Sequence, residues 1–407
     1  MARASLGRRF LALVASSGLS NLADGLYKVA LPLAAVQYTR SPALVAGLEL
    51  VRTLPWLIGA LPVGALVDRL DRRRTMLNAN TARLGFTALA AVGIVLGGPP
   101  LILLYVAGLG TGMAEVFYDT AAQSIIPAVV MRDDLERANG RLYAVERGAQ
   151  EFMGPPIGGL LVAVAVPLVF GASALLWAAA IVALWFLRGE FRPPSGGTSR
   201  RLRTDIRDGL DFIRERPLLW RLAVMVGVAN LASAATFSVF VLYAVGEESV
   251  LGLDEPGFGV LFSLLAAGGI AGGVLSGHLQ RRLGRARTLT ASLAGMVAYV
   301  VVPALTESVV IVAVTFVVGG FMIMAWNVIV VSFRQRVTPD DLLGRVNSAF
   351  RLVAWGTLPL GAALGGAIGE WLGVRWVFVL MGLVTLTLFI PNRKLTEEAL
   401  SGAARSG

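Results

Sequence analysis

Six carboxylates stand inside stretches that are otherwise apolar: Asp24, Glu49, Glu115, Asp119, Glu146 and Glu151. An ionised carboxylate in hydrocarbon is costly, so each has to face a water-filled path or a cation. A carboxylate that passes between dry and wet surroundings also changes its proton affinity by orders of magnitude, which is the chemistry of proton uptake and release. Cations lie close by. Lys28 follows Asp24 by four residues on one helical face, Arg52 follows Glu49 by three, and Arg147 precedes Glu151 by four. Each acid is therefore either a titrating group or one half of a permanent pair, Asp24 with Lys28 and Glu151 with Arg147 or Arg52, and the spacing leaves both open. At a helical rise of about 1.5 Å per residue, Asp24 and Glu115 fall near the middle of their stretches, which puts them first for proton coupling, ahead of Asp119, Glu151 and Glu49.

Little else in the chain could react. The absence of cysteine and the presence of a single histidine, His278 at the end of an apolar stretch, exclude disulfides, thiol nucleophiles and Cys/His metal sites. Neither a nucleophile elbow nor a phosphate-binding loop with lysine is present. The chain reads as a non-enzyme, with no catalytic residues, no metal and no cofactor.

The elements that must position these acids follow from composition. Of 407 residues, 56% are hydrophobic and only 15% charged, and the mean hydropathy is +0.71, well outside the range of soluble domains. Apolar stretches long enough for a hydrocarbon core of about 30 Å occur at 10–36, 42–67, 76–97, 100–126, 140–165, 167–187, 218–245, 257–280, 287–305, 308–333, 344–369 and 374–391. The fold class expected is all-α, with twelve membrane-spanning helices.

An even number of spans sorts the connecting loops into two sets. One carries Arg69, Arg72, Arg73 and Arg74, nine arginines from Arg188 to Arg221, and Arg281, Arg282, Arg285 and Arg287; the other has little beyond Arg40 and Arg375. The positive-inside rule then makes both termini cytoplasmic in a multi-pass protein of a bacterial inner membrane. The formal net charge of +10 is read as a topology signal that also suits anionic lipid headgroups, and not as a nucleic-acid surface, for no basic stripe carries interleaved aromatics. The basic N-terminus runs into the first apolar stretch without a small-residue cleavage site, which implies a retained first helix.

One long polar interruption, 191–216, divides six spans from six. Its Pro193-Pro194-Ser195-Gly196-Gly197 opening has linker composition, and 203–216 puts Ile206, Leu210 and Ile213 on one face, as a helix lying along the cytoplasmic membrane surface would. The domains expected are a six-helix bundle at 1–190, the linker at 191–216, a second bundle at 217–393 and a cytoplasmic tail at 394–407. The halves resemble each other. Gly64-x-Leu66-x-Asp68-Arg69-Leu70-Asp71-Arg72 matches Gly277-x-Leu279-x-Arg281-Arg282-Leu283-Gly284-Arg285 at an offset of 213, and Arg137-x-Asn139 with Gly148 matches Arg345-x-Asn347 with Gly356 at an offset of 208. Parallel repeats of this kind place a substrate site at the midplane between them.

Three passages resemble the major facilitator superfamily, and more narrowly its bacterial drug and siderophore exporters, which include enterobactin and macrolide efflux proteins. The first, Gly64 to Arg74, is similar to the superfamily's loop between the second and third spans. The resemblance implies a gate: Asp68, with Arg69, Arg72 and Arg73, faces the N-terminus of the eleventh span and holds the cytoplasmic side shut, while Gly64 allows close helix approach. Thr338-Pro339-Asp340-Asp341 is the N-cap expected there. Asp71 departs from the glycine usual in the family. The second passage, Gly148, Gly154, Pro155, Pro156, Gly158 and Gly159 on the fifth span, resembles the antiporter motif; Gly154 and Gly158 form a small-xxx-small face and the prolines bend the helix. Gly269, Gly273 and Gly277 on the eighth span and Gly361 and Gly365 on the eleventh are expected to pack similarly. The third is Ser20-Asn21-x-x-Asp24-Gly25-x-Tyr27-Lys28 on the first span.

The resemblance implies a monomeric proton-coupled exporter of small amphipathic molecules, working by alternating access. A proton-coupled importer or facilitator of a small nutrient would use the same fold and stays open as the alternative. All six acids lie in the first half. The second half offers Asn230, Phe237, Trp326 and Asn327, which with Tyr27 are the expected cavity residues. Topology is directly testable. Alkaline phosphatase fused after Arg192 should be inactive and the same enzyme fused after Glu248 active; the reverse pattern would invert the orientation.

Overall fold

The computed structural model describes residues 6–67, 69–131, 134–189, 191–192, 202–339 and 342–403. Almost all of it is α-helical, and the helices form twelve spans. The first four are α1 (Gly7–Ala35), α2 (Pro42–Val67), α3 (Arg72–Val95) and α4 (Pro100–Val129). The fifth is composite: α5 (Leu135–Arg147), a π-helical turn (Gly148–Met153) and α6 (Gly154–Val164); α7 (Val166–Trp185) is the sixth. After a linker helix α8 (Leu202–Glu215) come α9 (Pro217–Ala244), α10 (Glu255–Leu283), α11 (Arg285–Leu305) and α12 (Val309–Val337). The eleventh span is α13 (Leu343–Trp355) with α14 (Thr357–Leu372), the twelfth is α15 (Val374–Thr387) with α16 (Phe389–Asn392), and a short α17 (Glu397–Ala403) follows.

Among the described residues nine of these spans are apolar enough to cross a membrane by composition alone, and α1, α3 and α5–α6 are the three that are not. Their hydropathy is diluted by polar side chains that α1 and α3 turn inward. Ser16, Ser17, Ser20 and Asn21 of α1 and Asn80, Arg83 and Thr87 of α3 are all buried.

The chain forms two compact units, neither of them contiguous in sequence. The first comprises Met1–Arg40, Val51–Gly197 and Asp254–Ser263, and the second Ser41–Leu50, Thr198–Leu253 and Leu264–Gly407. The first has a core built on Leu13, Met76, Tyr118, Ile125 and Leu184. That of the second gathers around Leu222, Leu293, Trp326, Phe333 and Phe350.

Within the first unit the fifth span lies directly on α1. A Cβ added to Gly154 would sit 2.6 Å from the Cα of Gly25, one added to Gly158 would sit 2.8 Å from the carbonyl oxygen of Leu26, and Gly25 in turn abuts the Gln150 carbonyl. These contacts are what small-xxx-small packing permits. Pro155 and Pro156 each lack the N–H that would close an α turn onto Glu151 and Phe152, and the backbone just ahead of them widens into the π turn. Gly148 opens that turn; its repeat partner Gly356 interrupts the eleventh span between α13 and α14. The same point is irregular in both copies.

In the second unit Gly361 and Gly365 seat α14 against the backbone of α9 at Leu231 and Ala235. On α10 the close face differs from expectation. Gly268 and Gly272 meet the backbone of Val317 and Phe321, whereas a Cβ on Gly269 or Gly273 would have ordinary contacts and one on Gly277 would meet only Arg281 of its own helix. The glycine run is continuous enough that one residue, about 100° of rotation, decides which pair packs.

Two helix N-termini are closed by carboxylates in complementary ways. Asp71 caps α3, accepting from Arg74 N at 2.8 Å and, through its other oxygen, from Phe191 N at 3.0 Å. This accounts for an aspartate where the family has glycine. At the corresponding place in the second half stands Gly284, at φ 79°, and the carboxylate comes instead from Glu397, which accepts from Arg285 N and Ala286 N at 2.9 and 3.1 Å. Leu395 and Leu400 flank it and are buried in the second unit's core.

The linker helix forms, but its apolar face is turned to protein. Phe212 and Ile213 are buried in that same core, Asp208 pairs with Arg345 at 3.3 Å, and Gly209 lets α8 approach the Arg345 carbonyl. The helix docks on α13; residues 193–201, with the Pro-Gly opening, and the side chain of Ile206 lie outside the described residues. Overpacking a tight helix contact costs about 1–3 kcal/mol, so Gly154→Leu should lower the Tm of the purified protein by several degrees. Gly171→Ala, where an added Cβ meets nothing within 4 Å among the described residues, should leave it level or raise it.

Candidate functional site

The polar stripes of α1 and α3 meet in the interior of the first unit. The Arg83 guanidinium, 0% exposed, lies 3.3 Å from Asp24 Oδ2 and donates to Ser20 Oγ at 2.9 Å and to Asn80 Oδ1 at 3.4 Å. Ser20 donates to the same Asn80 oxygen at 3.1 Å. Aromatic faces close the remaining sides, with Arg83 Cζ 5.0 Å from the ring centre of Tyr118 and 5.8 Å from that of Trp177. The Tyr118 hydroxyl is hydrogen-bonded with Ser16 at 3.3 Å, and Tyr27 packs edge-on to Phe170 and tilted against Trp177. Tyr27, expected to line a cavity, is in this structure a buried part of the wall around the pair.

Arg83 was missed by sequence reasoning. Its signal was available: one charge inside the third apolar stretch, three residues after Asn80 and four before Thr87, all on one helical face. Lys28, the partner proposed for Asp24 on spacing, is half-buried one turn further along α1.

A second acid–base pair stands beside the first. Arg52 of α2 lies 3.6 Å from Glu115 of α4, with both side chains 15% exposed, and Gly112 lets the backbone of α4 come against the Arg52 carbonyl. Asp119, one turn on from Glu115, shares with it and Asp24 the electrostatic reach of Arg83. Glu151 pairs with Arg147 across the start of the π turn, and both are exposed. Glu49 falls in the part of α2 that belongs to the second unit. The structure therefore brings Asp24, Glu115, Asp119, Arg52 and the unforeseen Arg83 into one cluster.

In the second unit, Asn230, Trp326 and Asn327 line one recess of about 60 Å³ together with Ser233, Tyr299 and Thr385. Asn230 is held there by donating to Ala354 O at 2.7 Å. That volume is well below the roughly 300–1,000 Å³ of drug-sized pockets. Phe237, the remaining cavity candidate, is half-buried on α9 and does not border the recess. The second half also has an acid inside a span: Glu370, in the last turn of α14, accepts from Ser41 Oγ at 2.6 Å and Ala43 N at 3.1 Å and so caps α2.

The loop motif is partly described. Asp68, Asp340 and Asp341 lie outside the described residues. Arg73 donates to Leu184 O at 2.8 Å, Arg69 is exposed and Arg72 half-buried. A Cβ on Gly64 would meet nothing within 4 Å among the described residues. Thr338 is not an N-cap. It closes α12 as its C-cap, donating back to Arg334 O at 2.7 Å, and α13 begins only at Leu343.

Comparison with known proteins fits this architecture. The family model described as Major Facilitator Superfamily matches residues 13–358 and 250–404. The chain is 28% identical to the multidrug efflux pump Tap of Mycolicibacterium fortuitum, over 96% of each chain. It is 27% identical to the enterobactin exporter EntS of Shigella boydii serotype 4 (strain Sb227), over 88% of this chain and 85% of the other. Among solved structures, a bacterial homologue of the iron transporter ferroportin in an inward-facing state superposes with a TM-score of 0.74 at 18% identity, covering 96% of this chain and 99% of that one. A nucleoside transporter superposes equally well, with a TM-score of 0.74 at 11% identity, over 95% and 100%.

Removing one partner of a buried ion pair strands the other, at a cost of roughly 3–5 kcal/mol. Arg83→Gln should therefore lower the Tm of the purified protein markedly, and adding Asp24→Asn should restore part of the loss. Additive losses in this double-mutant cycle would show that the two groups are not coupled.

Proposed function

Because the chain belongs to the major facilitator superfamily, we propose that it is a proton-coupled secondary active transporter that exports small amphipathic molecules by alternating access. The observation that carries this reading is the ion pair between Asp24 and the enclosed Arg83. While Asp24 is ionised it holds the guanidinium. A proton on Asp24 cancels that attraction and frees Arg83 to turn toward Asp119 or Glu115, acids already within its field. Nε and Nη2 of Arg83 have no hydrogen-bond partner among the described residues, so donors are in hand for the exchange. Because Gly25 and Leu26 rest on the π turn and on Gly154 and Gly158, the state of the pair acts directly on the packing of the fifth span.

Outward direction is supported by what the relatives do, one a multidrug efflux pump and the other an enterobactin exporter. Protons move through the acids of the first half. The substrate, small and amphipathic, uses the amide and aromatic side chains of Asn230, Trp326 and Asn327 in the second. Residence in a bacterial inner membrane with both termini cytoplasmic, a cytoplasmic gate at Asp68, Arg69, Arg72 and Arg73, and action as a monomer complete the proposal.

Everted vesicles test the coupling. Asp24→Asn should cut proton-driven substrate uptake by at least about tenfold, equivalent to about 1.4 kcal/mol, and Glu115→Gln should weaken it. Intact transport in both variants would refute the assignment. In cells, expression should lower substrate accumulation, and a protonophore should abolish the difference. Raised accumulation would point to import.

A further inference from the structure

A groove runs along the surface of the first unit between α1 and α7, and its two ends differ in chemistry. One end carries three arginines, Arg8 and Arg9 from the start of α1 and Arg188 just past the end of α7. All three are exposed, and among the described residues no acidic side chain lines the groove. From there it is apolar throughout. Its floor is made of alanines, Ala12 and Ala15 on α1 and Ala179 and Ala183 on α7, and its sides of Leu11, Val182 and Phe186. Leu11 and Phe186 are 64% and 70% exposed.

The sequence builds this shape by spacing. Arg8, Leu11, Ala12 and Ala15 recur at i, i+3, i+4 and i+7, as do Ala179, Val182, Ala183 and Phe186, so each helix turns one matching face to the groove. Small residues at the centre and large ones at the edge hollow out a volume of about 860 Å³. Along α1 the lined length is about 10 Å at the helical rise of about 1.5 Å per residue.

We propose that this groove binds an anionic phospholipid, with the phosphodiester held by Arg8, Arg9 and Arg188 and one acyl chain lying on the alanine floor. Guanidinium forks match phosphate oxygens in geometry as well as charge. Basic pockets between spanning helices are suited to anionic headgroups at the membrane surface. The arginine end satisfies that requirement where the chain leaves the hydrocarbon, and the apolar remainder continues into it. The inference depends on the membrane-spanning fold alone, and holds whatever the substrate and coupling ion prove to be.

Native mass spectrometry of the full-length protein, extracted in detergent and titrated with phosphatidylglycerol or phosphatidylcholine of matched chains, reads the preference. Phosphatidylglycerol should bind roughly tenfold or more tightly than phosphatidylcholine. The triple variant Arg8→Gln, Arg9→Gln, Arg188→Gln should bind the two equally, and Ala15→Leu with Ala183→Leu, which fills the floor and keeps the charge, should weaken phosphatidylglycerol binding. Equal binding of both lipids by the wild type, selectivity that survives in the triple variant, or a filled floor without effect would each overturn the proposal. A measurement on the unaltered protein guards against misfolded variants. Phosphatidylglycerol with a photoreactive acyl chain should label peptides covering Leu11–Ala15 or Ala179–Phe186 and be displaced by unlabelled phosphatidylglycerol but not by inorganic phosphate or phosphatidylcholine. Labelling confined to other helices, or displacement by phosphatidylcholine, would refute it.

Discussion

The enclosed guanidinium of Arg83 obliges everything around it to be an acceptor or a ring. A permanent cation cannot shed its charge to fit an apolar interior, so α1 must bring Ser20 and Asp24 to it, α3 its own Asn80, and α4 and α7 the faces of Tyr118 and Trp177. Those demands explain why the first and third spans are too polar to qualify as membrane helices by composition. They also fix the packing nearby. For Asp24 to reach Arg83 while the next residue lies flush on the fifth span, position 25 has to be glycine, with glycine opposite it at 154.

Much of the architecture is legible in sequence because it rests on properties that repeat along the chain. Apolar length marks the spans, arginine bias sorts the loops, and the matched motifs at offsets of 213 and 208 disclose the duplication. What resists reading depends on partners far apart. Asp24 and Lys28 share a helix face, and nothing local says that Arg83, on another helix, is the group Asp24 meets. Thr338-Pro339 carries a good helix-start signature, yet Thr338 bonds back to Arg334 and closes α12, and the next helix begins only at Leu343. On α10 the glycines are so closely spaced that the choice between 268/272 and 269/273 is made by the backbone of α12.

The site was legible to a similar depth. Asp24, Glu115 and Asp119 could be singled out because charge in an apolar run is rare, and the structure gathers them. Glu151 and Glu49 met the same criterion, but the first lies exposed beside Arg147 and the second belongs to the other unit. Rarity identifies a group that needs a partner; only the fold says whether that partner is buried or wet.

Each half ties the start of its third span to the chain that leaves its sixth, and the two knots are reciprocal. In the first, Asp71 sits at the helix start and reaches Phe191; in the second, Glu397 sits in the departing chain and reaches back to Arg285 and Ala286. The membrane domain's chemistry thus ends several residues after its last span. A polypeptide trimmed where hydropathy falls would keep all twelve spans yet leave the first turn of α11 with two open donors and a groove where Leu395 and Leu400 had been.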